Sequence, residues 1–130
     1  MKREVLQPET IIKPKGPFSQ GIKAENVKGF IFVAGQISMN VSGEVVGVGD
    51  IKAQTRQTLE NLKAVLASGG ANLENILMLR IYTTQIDRIS EIHEIRREYF
   101  PKDPPAVTTV EVKGLIHKDL LIEIDAVAVT

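Results

Sequence analysis

The sequence predicts an α+β domain in which two helices cover one face of a mixed sheet. Helical spacing of apolar residues occurs twice, strand-like runs precede, separate and follow the two helical segments, and the last two runs alternate apolar with polar residues. With 130 residues, of which 43% are hydrophobic, the chain is long enough for one core. We therefore expect residues 1–130 to form a single domain.

The first predicted strand is the run Gly29–Ala34, which is aromatic and β-branched and is followed by Gly35. This composition favours a buried strand. The next segment, Val41–Asp50, contains too many glycines for a helix or strand and ends in an aspartate suited to cap a helix. We interpret this segment as a loop that leads into the first helix.

The first helix is predicted over Ile51–Ser68, and Gly69 and Gly70 supply its stop signal. Its apolar positions recur at steps of three and four residues: Leu59, Leu62, Val65 and Leu66. This spacing predicts that one side of the helix packs against the sheet.

A second strand is predicted over Ile76–Tyr82, and a second helix begins after Asp87, taken as its cap, and ends before Pro101. The buried stripe of that helix is predicted to contain Ile89, Ile92, Ile95 or Arg96, and Tyr99. Two further strands are predicted over Val107–Lys113 and Leu120–Val129.

Since two helices cover only one sheet face, the other face must meet water or another subunit. The residues predicted to lie under the helices are Leu77, Leu79, Ile81, Ile122, Ile124, Ala126 and Ala128. The residues predicted on the opposite face are Met78, Arg80, Tyr82, Val107, Glu123, Asp125, Val127 and Val129. Because a soluble monomer rarely exposes such a mixed apolar and charged face, we expect an oligomer that joins through it.

Composition excludes several classes of function. The 16 basic residues balance 16 acidic ones without any block of like charge, which argues against a nucleic-acid or anionic-membrane partner. The chain has no cysteine, and His93 and His117 are isolated, so no metal site is expected. Neither a signal peptide nor a membrane-spanning run is evident, and we expect a cytoplasmic protein.

Five segments together resemble the Rid superfamily, the YjgF-type reactive intermediate deaminases, in the family's order and spacing. They are Gly16–Gln20, Val33–Ile37, Gln54–Lys63, Pro105–Ala106 and Leu121–Val129. The resemblance implies a chorismate-mutase-like subunit that assembles as a homotrimer with pockets at the subunit interfaces. In its RidA-like deaminating branch, imines and enamines are hydrolysed to 2-oxo acids and ammonia without a cofactor.

The sequence departs from that pattern at the residue that follows the Pro-Ala pair. The deaminating branch has an arginine there, which binds the substrate carboxylate, whereas this chain has Val107. A valine cannot donate a hydrogen bond, so binding of the standard substrate should be weakened by about 1.5–3 kcal/mol or more. We expect an altered substrate or reduced activity.

Matching to the family yields the candidate site. Glu123 and His93 are the candidate catalytic residues, Glu123 as general base or water-positioning group and His93 as proton shuttle. The candidate substrate-binding residues are Phe18, Ala34, Gly35, Gln36, Val107, Thr109 and Arg80. For Arg80 a structural ion pair with Glu111, Glu123 or Asp125 is the favoured alternative. Without the resemblance, a solvated or ion-paired strand residue is the favoured interpretation of Glu123. His93 is equally compatible with a boundary residue that makes one hydrogen bond.

Two functions follow from these residues. One is a cofactor-free hydrolase or deaminase acting on a small imine or enamine such as 2-iminobutanoate or 2-iminopropanoate. The alternative is a non-catalytic trimer that binds a small metabolite. Ribonuclease activity, which some relatives are named for, is disfavoured by the neutral charge and the lack of paired histidines.

Overall fold

The computed structural model describes all 130 residues and contains two α-helices and six strands. The helices are α1 (Ile51–Ser68) and α2 (Ile89–Tyr99). The strands are β1 (Lys2–Leu6), β2 (Gly21–Glu25), β3 (Phe30–Ile37), β4 (Ile76–Thr83), β5 (Ala106–Glu111) and β6 (Ile122–Val129). The α+β class is therefore confirmed.

The main sheet has the strand order β3-β6-β4-β5. Strand β4 pairs in parallel with β5, whereas β6 is antiparallel to both β3 and β4, so the sheet is mixed as predicted. Strands β1 and β2 form a separate antiparallel hairpin. The hairpin was not among the predicted elements because its strands, KREVL and GIKAE, carry no apolar run.

Both helices pack on one face of the main sheet. The predicted inward set on β6 is buried, with Ile122, Ile124, Ala126 and Ala128 each at most 3% exposed.

Both ends of α1 carry the predicted stop and start signals. At its start the cap is Asp50, whose Oδ1 accepts a hydrogen bond from the Ala53 amide at 3.0 Å. At the other end Gly70 has a φ of +77°, in the left-handed region that favours glycine.

Strand β3 differs from the prediction of a buried strand. Phe30 and Phe32 are 66% and 77% exposed, and their rings stack at a centroid distance of 6.3 Å. Only the alternate residues Ile31 and Val33 pack toward the helices. The reason is the one-sided helix layer, which leaves every second residue of this strand uncovered.

A bulge between Ile76 and Met78 changes the face of Leu77. Leu77 was predicted on the helix side, but Ile76 takes that core position and Leu77 is only half-buried. A bulge inserts one residue and so shifts the two-residue alternation on one side of it. From Leu79 onward the predicted alternation holds.

The start of α2 also differs from prediction. Asp87 lies inside a 3-10 turn, Ile86–Arg88, and the residue at the cap position of α2 is Arg88, without a side-chain capping bond. The assignment of Asp87 as the cap was therefore wrong, because the chain begins to coil one turn earlier. Neither helix has the combination of length and apolar character needed to cross a membrane.

Candidate functional site

Seven of the nine predicted site residues fall into two groups, and Arg80 and Thr109 belong to neither. We call the first the loop cluster: the loop Gly16–Ser19, His93 on α2 and Val107 on β5. We call the second the strand cluster: Ala34, Gly35 and Gln36 on β3 and Glu123 on β6.

The Gly16–Ser19 loop is held by contacts with α2 on one side and with the start of β5 on the other. On the α2 side, a β-carbon built on Gly16 would lie 3.1 Å from Cε1 of His93, and Arg96 Nη2 donates to the Pro17 carbonyl at 2.6 Å. On the β5 side, the Ser19 amide donates to the Pro105 carbonyl at 3.0 Å. These contacts hold the loop, which includes the half-buried Phe18, between the second helix and the start of β5.

His93 is half-buried beside this loop. Burial, together with the positive charges of Arg96 and Arg97, lowers the pKa of His93 below its ordinary value of 6.5. The imidazole is therefore neutral at pH 7. A neutral imidazole can accept a proton at one nitrogen and donate from the other.

Val107 does not lie where it was expected. It was predicted on the sheet face that the helices leave open, but it pairs in register with the buried Leu79 and packs against the core. Thr109 is in register with Ile81 and lies on the same side. Because paired strand residues share a face, both residues point toward the helix layer.

The strand cluster is organised by a bulge in β3 between Val33 and Gln36. Ala34 and Gly35, which together lie opposite the single residue Asp125, are exposed, and Gln36 Nε2 donates back to the Ala34 carbonyl at 3.0 Å. Bulges commonly redirect side chains beside functional sites.

Glu123 projects into this bulge. A β-carbon built on Gly35 would lie 2.8 Å from Cδ and 3.1 Å from Cγ of Glu123, so the carboxylate lies directly over the Gly35 α-carbon. The Glu123 carboxylate is half-buried and forms neither a salt bridge nor a hydrogen bond, whereas the neighbouring carboxylate, that of Asp125, is paired. Its oxygens are therefore free to accept a hydrogen bond from a water or a ligand.

Arg80 is engaged elsewhere. Its Nε donates to Asp125 Oδ1 at 2.8 Å, and the Tyr82 hydroxyl donates to the other carboxylate oxygen of Asp125 at 3.2 Å. The hydrogen bond and charge of Asp125 raise the pKa of Arg80. Of the two interpretations of Arg80, this geometry corresponds to the structural ion pair.

One chain does not bring the two clusters together. Glu123 lies on the open face of β6, Val107 points to the helix side of β5, and β4 separates the two strands. Two surface grooves, of about 490 and 510 Å³, lie beside Tyr99 and Pro101 and are lined by none of the predicted site residues. Neither groove of the single chain therefore joins the two clusters.

Arg96 was not among the candidate site residues, although it contacts the loop cluster. It was considered only as an alternative to Ile95 in the buried stripe, and both residues are in fact 1% exposed. The signal in the sequence was a cation within an apolar helical stripe.

Comparison with known proteins identifies the family. Residues 9–130 match the family model described as Endoribonuclease L-PSP. A RutC family protein of Pyrococcus horikoshii is 45% identical over 127 residues, which cover 97% of each chain. The chain belongs to the Rid superfamily. Another Rid relative, the 3-aminoacrylate deaminase RutC of Acinetobacter baylyi, is 35% identical over 128 residues, which cover 98% of each chain.

The Rid fold is also found among solved structures. The Yersinia pestis protein YyfB, described as a Rid family protein of unknown function, is similar over the whole of both chains with a TM-score of 0.90 and 36% identity. The two helices on a mixed sheet are therefore the chorismate-mutase-like Rid arrangement, as expected from the sequence.

Proposed function

We propose that this Rid protein hydrolyses a small imine or enamine to a carbonyl compound and ammonia, with Glu123 as the general base. The observation that supports this most is the free, half-buried Glu123 carboxylate over Gly35. A general base needs an unpaired carboxylate next to space that a water and a substrate can occupy. The name of the Acinetobacter relative, a 3-aminoacrylate deaminase, supports an enamine or its imine tautomer as substrate.

The reaction needs only proton transfers and a water molecule. The substrate reacts as its protonated imine, which an enamine forms when its β-carbon takes up a proton. Glu123 takes a proton from the water as the water oxygen bonds to the imine carbon, which gives a neutral carbinolamine. The proton then passes to the nitrogen, the carbon–nitrogen bond breaks, and the remaining hydroxyl loses its proton as the carbonyl forms. The neutral His93 is suited to carry protons between these groups.

We further propose that the chain acts as a homotrimer in which the open sheet faces are turned inward. Phe30, Phe32 and Val127 lie together on that face, since Phe32 is opposite Val127 in the β3–β6 register. Their exposure in one chain supports burial against another copy. Such an assembly would set the strand cluster of one subunit against the loop cluster of its neighbour.

Val107 limits the activity on the standard substrates. Its side chain is apolar and packs on the core, so it supplies no bidentate contact to a carboxylate. We expect 2-iminobutanoate and 2-iminopropanoate to be hydrolysed on the order of 10² more slowly than by a relative with the arginine. The same observation supports the alternative, a trimer that binds a small metabolite without converting it.

Ammonia release tests the proposal. Wild-type protein, Glu123→Gln and Val107→Arg are each given 2-iminobutanoate, 2-iminopropanoate and 3-aminoacrylate generated in solution. We expect wild type to exceed the uncatalysed rate with at least one substrate and Glu123→Gln to fall back to that rate. Ammonia release by Glu123→Gln at the wild-type rate would refute the role of Glu123, and binding without any release would favour the alternative.

A further inference from the structure

Arg96 is a buried cation without an acidic partner. Its side chain is 1% exposed, and its single hydrogen bond runs from Nη2 to the Pro17 carbonyl, while Nε has no partner. The charged group that acts on it is Arg97, which is also a cation. Buried arginines are normally paired with an anion, because an unpaired charge is unfavourable away from water.

Arg96 nevertheless keeps its charge. Burial and the proximity of Arg97 lower the pKa of Arg96 to about 10, which is still well above neutral pH. The helix α2 therefore places a permanent positive charge inside the protein. In surroundings of low polarity such a charge acts more strongly on nearby anions than a surface charge does.

Arg96 contacts the same loop as His93, a residue of the proposed pocket. It lies one helical turn after His93, and the two side chains contact the consecutive residues Pro17 and Gly16. Two residues after Pro17, the Ser19 amide is bonded to Pro105, which lies two residues before Val107. The cation thus lies under the loop that is bonded to the chain two residues before the position where the deaminating branch has its arginine.

We propose that Arg96 supplies the positive charge that attracts the anionic group of the substrate to the loop cluster, in place of the arginine replaced by Val107. The inference rests on the proposed function and narrows its substrates to small anionic imines or enamines. Because Pro17 covers the guanidinium, Arg96 acts through its charge and without a bidentate contact. Attraction of this kind is weaker and less directional than a direct ion pair.

The competing explanation is that Arg96 only holds the loop in place through Pro17. The two explanations differ in their effect on charge selectivity. Loss of a loop anchor weakens the binding of anionic and uncharged ligands alike, whereas loss of a buried charge weakens only the binding of anions.

The test compares two ligands of nearly equal shape, the anion 2-oxobutanoate and the uncharged 2-oxobutanamide, by calorimetric titration. We expect wild type and Arg96→Lys to bind the anion about tenfold more tightly than the amide, and Arg96→Gln and Arg96→Met to bind both equally. Arg97→Gln is the matched control on the same helix and should keep the preference.

Three results would overturn the inference: no preference for the anion in wild type, a preference that persists in Arg96→Gln, or equal weakening of both ligands by that variant. If the neutral variants do not fold, the ¹⁵N NMR chemical shift of Arg96 Nε in the wild-type protein distinguishes the two explanations. It should move on titration with 2-oxobutanoate and stay unchanged with the amide, and the reverse or no movement would contradict the inference. The proposed hydrolysis is judged separately, by ammonia release from Glu123→Gln.

Discussion

The α-carbon of Gly35 on β3 lies in contact with the carboxylate of Glu123 on β6, with room for no further atom between them. A side chain at position 35 would push the carboxylate away, because its β-carbon would lie 2.8 Å from Cδ of Glu123. The absence of a side chain at position 35 thus determines the position of the Glu123 carboxylate, the proposed base. The contact is the physical reason to include the bulge at Ala34 and Gly35 in the proposed site.

The Gly35→Ala substitution should lower the rate of ammonia release much more than it lowers the free energy of unfolding. The Glu123 side chain is flexible and can move aside, so we expect the free energy of unfolding to fall by only about 1 kcal/mol or less. Ammonia release should fall about tenfold or more, because the base is displaced. The matched control is Gly114→Ala, since a β-carbon there meets no atom within 4 Å. Equal activity of the two variants would contradict the positioning role.

The open sheet face should lose its self-association when a charge is placed on it. Phe32 is 77% exposed and stacks on Phe30, so Phe32→Asp introduces a charge into the proposed apolar contact. Light scattering should give three times the chain mass for wild type and one chain mass for the variant. Ile116→Asp is the control, as Ile116 is 85% exposed in the turn before β6, and it should remain a trimer. A monomeric wild type would refute the assembly.

Gln54 should be essential for the stability of the fold. Its buried amide donates to the carbonyls of Gly47 and Asp119 at 3.1 and 2.8 Å and accepts from the Leu121 amide at 2.8 Å. Gln54→Met leaves these buried groups unpaired, and we expect the free energy of unfolding to fall by about 2–3 kcal/mol. Chemical denaturation measures it.

The control for Gln54 is Gln57→Met on the same helix. Gln57 makes one hydrogen bond, to Asn61 one turn later at 2.8 Å. Its replacement should change the free energy of unfolding by no more than about 0.5 kcal/mol. Equal effects of the two substitutions would show that the network around Gln54 contributes little.

His93 should make the protein less stable in mild acid. Its pKa is lowered in the folded state by burial and by Arg96 and Arg97, so the unfolded chain takes up the proton first as the pH falls. The stability contributed by neutral His93 is complete above pH 6.5 and is lost as the pH falls through the folded pKa. His93→Asn should flatten the stability profile in this window.

The control for the change of residue type is His117→Asn, which removes the other histidine, in the turn before β6. Glu91 and Glu98 have their pKa lowered by Arg88 and Arg56, so their contributions are lost only below pH 4.5. An unchanged slope in His93→Asn would contradict the assignment.

The sequence predicted the fold class, both helices and the inward set of β6, because these features follow from local periodicity and capping. It did not predict the exposure of Phe30 and Phe32, because periodicity does not reveal which sheet face lacks a partner. The face of Val107 depends on the parallel register with Leu79, which is a long-range pairing. The contact of Arg96 with Pro17 joins residues 79 positions apart and leaves no local signal.

The candidate site was predictable only as a set of residue types. The resemblance indicated Glu123, His93 and the loss of the arginine at Val107. The structure adds that Glu123 is unpaired while Arg80 is bonded to Asp125. The strand order, which depends on long-range pairing, separates the two clusters within one chain.

The measurement that tests the account most directly is complementation between two inactive variants. Glu123→Gln damages the strand cluster and His93→Leu damages the loop cluster, and each variant alone should release ammonia at the uncatalysed rate. When the two are unfolded, mixed in equal amounts and refolded together, sites that combine an intact cluster from each subunit form by chance. If the pocket joins clusters of neighbouring subunits, the mixture should regain about a quarter of the wild-type rate. A mixture that stays as inactive as its parents would contradict the shared pocket.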